Sequence, residues 1–330
     1  MRRQIRTPSP NPLPEVEGAQ NARMLPSMDA RRFFFDDQRH LRSAWRLCIF
    51  VVAFYICSTL GFILLLRGLG LVLRRPAAEL AGSGWIFVVG HAAILISAAL
   101  VGWACGRLFE GLPLAALGCS LRPGWLKDVG IGSALGAASL MFAALLATAT
   151  RGVHFSLDQV SAGSIGKTLA TSALVFLLAA AAEEMLFRGY PLQTLTRANL
   201  AWLGVFLTSV PFAAAHLYNP HVVPGFTFLN TALAGVWLAA AYLRTRRLWF
   251  PLGLHWSWNW AQASLLGLPV SGINRIAPAP LLHAMNTGPD WLTGGAYGIE
   301  GGAACTIALL VSTAVIWRWK LISRANVPTA

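Results

Sequence analysis

Beyond a polar N-terminal stretch, the chain alternates between long apolar runs and short polar breaks. Eight runs are of spanning length, near residues 45–66, 84–106, 128–150, 168–190, 200–218, 225–243, 248–267 and 302–319. A bilayer core takes about 20 helical residues to cross. In lipid every backbone N–H and C=O needs an internal partner, which long apolar helices supply. The pattern therefore predicts an all-α integral membrane protein with about eight transmembrane helices. Residues 1–43 are polar and arginine-rich, with Pro8, Pro10, Pro12, Pro14 and Pro26. They read as a disordered basic tail, with 44–330 as the multi-pass membrane domain. In the third run Gly132 and Gly136 are spaced for close helix packing. Pro269, Pro278, Pro280 and Pro289 make 267–301 a long extracytoplasmic loop.

Composition narrows the class. Hydrophobic residues make up 56% of the chain and charged residues only 12%, against about 25% charged in soluble domains. An ordinary soluble enzyme is excluded. The 26 basic residues outnumber the 13 acidic ones, but they gather at run ends, which is a topology signal and not a nucleic-acid face. With the N-terminus cytoplasmic, 20 Lys and Arg fall inside and six outside. The positive-inside rule then puts both termini in the cytoplasm. Abundant alanine points to a bacterial inner (plasma) membrane. Five scattered cysteines without a CxxC pair read as small core hydrophobes.

Ionisable groups inside spans are costly and mark function. Eleven of the 13 acids lie in the tail, loops or run ends; the other two are the adjacent Glu183 and Glu184. Arg188 sits four residues after Glu184, where it pairs with and orients that carboxylate. Glu183 points about 100° away and is free for chemistry. Three histidines lie in spans. His216 follows Phe212 by one turn, His255 precedes Asn259 by one turn, and His91, with no partner motif, reads as structural. Glu183 is 14 residues before Arg197 and His216 is 16 after Leu200. An antiparallel helix pair brings them level within about 3 Å. Glu183, His216, His255 and Asn259 thus converge at one depth, nearer the cytoplasm. Of Trp256, Trp258 and Trp260, one at most walls such a site.

A carboxylate, two imidazoles and an amide suit peptide hydrolysis. Glu183 would take a proton from water, helped by His216. His255 and Asn259 would donate to the oxyanion. Alternatively Glu183, His216 and His255 hold Zn²⁺, which acidifies its bound water. Asn259 is a poor zinc ligand, which favours the metal-free version slightly. Glu184, Arg188 and Phe212 support the site.

EEMLFR, FAAAH and HWSWN resemble the three motifs of the CPBP family of intramembrane proteases, which includes the type II CAAX prenyl proteases and the bacterial Abi proteins. Glu183, Glu184, Arg188, Phe212, His216, His255 and Asn259 match every motif position, over about 168–265. The resemblance implies an all-helical membrane endopeptidase, metallo- or glutamate-dependent, with its site on the cytoplasmic side. It also implies a membrane-associated or lipidated peptide as substrate, with the bilayer as the other partner and no nucleic acid. A non-catalytic scaffold or bacteriocin-immunity protein of the same fold is the alternative. A proton-coupled transporter ranks last, for want of paired broken helices.

Overall fold

The computed structural model describes residues 33–36, 40–157, 160–223 and 225–319. Most of the tail expected over 1–43 lies outside these residues. Eight apolar helices occupy the eight runs: α1 (Ser43–Leu73), α3 (Trp85–Glu110), α4 (Trp125–Ala149), α5 (Ala162–Phe187), α7 (Ala201–His216), α8 (Phe226–Thr245), α9 (Trp249–Trp260) and α11 (Ala303–Arg318). Short helices α2 (Ala77–Ala81), α6 (Tyr190–Arg197) and α10 (Asp290–Thr293) lie between them. Among the described residues, counting α5 with α6 as one, five helices are long and apolar enough to cross a membrane; α7 and α11 are shorter apolar helices. α9 is prolonged by a π-helical turn, Ala261–Leu265. The fold is an all-α membrane bundle. α1 buries only Phe50, Leu66 and Gly70, so most of its apolar surface is left for lipid.

The helices stop where local chemistry requires it. α1 ends on Arg74 in the left-handed region, with the Arg75 N–H returning to the Gly70 carbonyl, and Pro76 follows. α3 ends on Gly111 at φ 65°. Ser161 caps α5, its hydroxyl accepting from the Ser164 N–H, which satisfies one orphan donor of the first turn.

One break was not expected. The helix carrying Glu183 does not run on to Arg197 but ends at Phe187, and α6 begins at Tyr190. Gly189 stands at the break, where a side chain would strike the Met185 carbonyl. Pro191 follows in the first turn of α6, where it needs no hydrogen bond.

α4 and α9 pack backbone against backbone. A Cβ on Gly132 would run into the Phe250 carbonyl, and one on Gly136 into the Leu254 carbonyl and Ser257 Oγ. Gly253 presses in turn on Val129. The spacing read from the sequence thus seats α9. Without a hydrophobic drive between helices in lipid, such packing and buried hydrogen bonds hold the bundle. Trp237 Nε1 and Ser139 Oγ both donate to Ser312 Oγ at 2.8 Å, joining α8, α4 and α11. Trp256 and Trp260 donate to the Ala173 and Leu169 carbonyls at 2.9 and 3.1 Å, tying α9 to α5.

The segment 267–301 is built, not merely connecting. Strands β1 (Val153–Ser156) and β2 (His283–Asn286) pair antiparallel, Val153 opposite Asn286. The Leu281 and Leu282 N–H groups donate to the Ser264 and Leu265 carbonyls at the end of α9, 2.9 Å each. The segment folds back over the helix ends that surround the site.

Candidate active site

The acidic pair divides as one helical step requires. Glu184 is 1% exposed and Arg188 is fully buried. Arg188 Nη1 donates to Glu184 Oε1 at 3.2 Å, and Nη2 donates to the Gly235 carbonyl on α8 at 3.0 Å. The guanidinium also lies over the Phe212 ring, Cζ 4.8 Å from its centroid. Phe212 is therefore more than filler: it covers the buried cation and meets Phe187 edge-on at 5.3 Å. Glu184 Oε1 takes a further bond from His255 Nδ1 at 2.9 Å. Arg188, Glu184 and His255 thus form one buried chain linking α5, α8 and α9.

Glu183 faces the other way, into a cavity of about 230 Å³. His216, His255 and Asn259 line the same cavity. The four residues that the sequence places at one depth are brought together. Trp258 is the tryptophan of α9 that walls the cavity, packed edge-on against Trp237 at 5.7 Å. Glu183 Oε2 is buried without a hydrogen-bond partner among the described residues, 3.6 Å from His255 Nε2. That separation is an ion-pair distance and too long for a direct hydrogen bond.

The ring tautomers follow from the partners. Nδ1 of His216 meets the Phe212 carbonyl at 2.8 Å, and Nδ1 of His255 meets the Glu184 carboxylate. A carbonyl or carboxylate oxygen only accepts, so each Nδ1 carries the proton and each Nε2 is left for the cavity.

A histidine and an acid outside the sequence-derived set also line this cavity. His91 of α3, which reads as structural from sequence, places Nε2 3.8 Å from Glu183 Oε1. Glu300, in the turn before α11, enters from the 267–301 segment; its Oε2 accepts from Ser271 N–H at 2.5 Å and Ser271 Oγ at 2.9 Å. Burial pushes the Glu300 carboxyl above the ordinary carboxylate range. A lone acid in a Gly-rich loop gives no sequence signal of burial.

The zinc alternative can be put to the same geometry. Among the described residues no three His, Cys, Asp or Glu side chains gather closely enough to hold a metal ion. As placed, Glu183, His216 and His255 form no such cluster.

Residues 165–261 match the family described as Rce1-like, type II CAAX prenyl endopeptidase. The matched stretch holds Glu183, Glu184, Arg188, Phe212, His216, His255 and Asn259. A curated relative from Escherichia coli, an uncharacterized 24.3 kDa protein, is 27% identical over 201 residues, covering 59% of this chain and 85% of that one. No solved structure matches. Over this segment, under a third of the chain, the sequence is similar to the type II CAAX prenyl endopeptidases.

Proposed function

We propose that the protein is an intramembrane endopeptidase in which Glu183 activates a water for attack on a peptide bond. The observation that carries this reading is the Glu183 carboxylate. It lines the cavity with Oε2 buried and without a hydrogen-bond partner among the described residues, and imidazole Nε2 atoms lie 3.8 and 3.6 Å away. Glu183 takes one proton as the water oxygen bonds to the carbonyl carbon. His216, pinned by its Nδ1, orients the water from Nε2. Asn259 donates to the oxyanion, joined by His255 once its Nε2 takes up a proton. When the tetrahedral intermediate collapses, the C–N bond breaks and Glu183 returns its proton to the leaving amine. The acyl half keeps the water oxygen, so the atoms balance. No step is routed through a metal.

The substrate we propose is a membrane-associated or lipidated peptide, cut near the cytoplasmic face of a bacterial plasma membrane with both termini inside. Charge asymmetry supports this orientation.

The test is cleavage of a prenyl-peptide and proteome-derived peptide library by purified protein in detergent, read by mass spectrometry. Wild type should cut and Glu183→Gln should fall by at least about 10²-fold. A chelator should leave the rate unchanged; loss with chelator and recovery with Zn²⁺ would overturn the metal-free mechanism. Equal cleavage by Glu183→Gln would overturn the role of Glu183. Absence of cleavage, together with an unchanged cellular effect of Glu183→Gln, would favour the scaffold reading.

A further inference from the structure

We infer that His91 is a positioning residue for Glu183, a component of the active site contributed by α3 from outside the matched segment. The inference rests on the reading of Glu183 as the base. Between Trp85 and Gly106 of α3, His91 is the one basic or acidic side chain. A polar group at such depth needs a partner. Here the partner is Glu183, and the two meet on the wall of the same cavity.

The local construction of His91 repeats that of His216. Phe87-Val-Val-Gly-His91 and Phe212-Ala-Ala-Ala-His216 share one spacing, phenylalanine one helical turn before histidine. In both, Nδ1 donates to the phenylalanine carbonyl at 2.8 Å. In both, the imidazole packs against the phenylalanine ring, with centroids 4.1 Å apart in α3 and 4.7 Å apart in α7. The carbonyl fixes the tautomer and the ring fixes the plane. What is left is a single aimed atom, Nε2. A histidine that only filled space between α3 and α5 would not need both restraints.

The placement divides the carboxylate between two imidazoles. His91 Nε2 faces Oε1 at 3.8 Å and His255 Nε2 faces Oε2 at 3.6 Å. Neither is a direct hydrogen bond, so each acts by charge or through one intervening hydrogen-bonding group. With His255 alone, the carboxylate could swing about its Cγ–Cδ bond. With a second imidazole on the far oxygen its plane is set. Reactions of positioned groups are sensitive to such errors: about 1 Å of misplacement can cost about 10²-fold.

The experiment compares His91→Leu, which keeps bulk without a polar atom, with His91→Gln, which keeps a donor. We expect His91→Leu to lower kcat about 10- to 100-fold with KM within about twofold, and His91→Gln to recover most of the loss. A second readout does not depend on turnover. The carboxylate stretch of Glu183, assigned in the infrared by subtracting Glu183→Gln, should shift in His91→Leu and return toward wild type in His91→Gln. Melting temperatures of both variants should stay near wild type. An unmoved band, or activity losses that track melting temperature equally in both variants, would overturn the inference. If Glu183→Gln is inactive while His91→Leu keeps its kcat and band, this inference alone fails. If Glu183→Gln stays active, the underlying reading of the base fails first.

Discussion

Arg188→Met is the perturbation that most directly tests how the site is held. The guanidinium is fully buried and Glu184 nearly so, at 1% exposure. Arg188 makes one bond to Glu184 at 3.2 Å and one to the Gly235 carbonyl at 3.0 Å. Hydrogen bonds to charged groups contribute about 1.5–3 kcal/mol each, and the desolvated cation over Phe212 about 2 more. The larger effect is what remains: a buried carboxylate stripped of its cation. Removing one partner of such a pair costs about 3–5 kcal/mol. Unfolded chains in a membrane or micelle find substitute partners, so a loss near the lower end, about 3 kcal/mol, is expected. The double variant Glu184→Gln/Arg188→Met separates the two causes. Its Gln oxygen can still accept from His255 Nδ1, and no charge is left unpaired. It should therefore recover at least about 1 kcal/mol over Arg188→Met, although two residues are changed instead of one. The assay is equilibrium unfolding in detergent, followed by tryptophan fluorescence, for all four members of the cycle. A coupling energy below about 0.5 kcal/mol, the range of independent sites, would refute the pair as the node of the site.

The seating of α9 and the state of Glu300 give further tests beside those at Glu183 and His91. Gly136→Ala drives a methyl into the Leu254 carbonyl and Ser257 Oγ; overpacking of this kind costs about 1–3 kcal/mol. It should also lower kcat by shifting His255 and Asn259, and a fully active, undiminished variant would show that α4 does not seat the site. Glu300→Ala leaves the Ser271 N–H and hydroxyl without their acceptor and should lose about 1–3 kcal/mol, whereas Glu300→Gln retains an acceptor and should not. Because burial raises the Glu300 pKa in the folded state, folding favours its neutral form. Its contribution is full below the ordinary carboxylate value and is lost as pH rises through the raised one. The melting temperature of wild type should therefore fall over that window more steeply than that of Glu300→Gln, and parallel curves would count against a buried, protonation-sensitive Glu300.

The parts of this molecule legible in the sequence are those that lipid makes local. A helix in a bilayer must be apolar along its length, so eight apolar runs announce eight helices, and a buried acid pair stands out against them. The i, i+4 geometry within one helix likewise makes Glu184–Arg188, Phe212–His216 and His255–Asn259 readable without a fold. Two kinds of feature escape this reading. The break after Phe187 has a signal in Gly189 and Pro191, but hydropathy averages over such residues and carries the helix through them. His91 has the same phenylalanine-to-histidine spacing as His216, yet it stands 92 residues before Glu183 and no local pattern links the two. Glu300 is the opposite case: its neighbours are glycines, which read as loop, and only the fold-back of 267–301 takes it out of water. The practical rule concerns spans. A histidine within one, placed a turn after an aromatic residue, already has its Nδ1 and its ring plane spoken for. The useful question is then what its Nε2 faces across the bundle, and that depends on helix packing, which hydropathy does not encode.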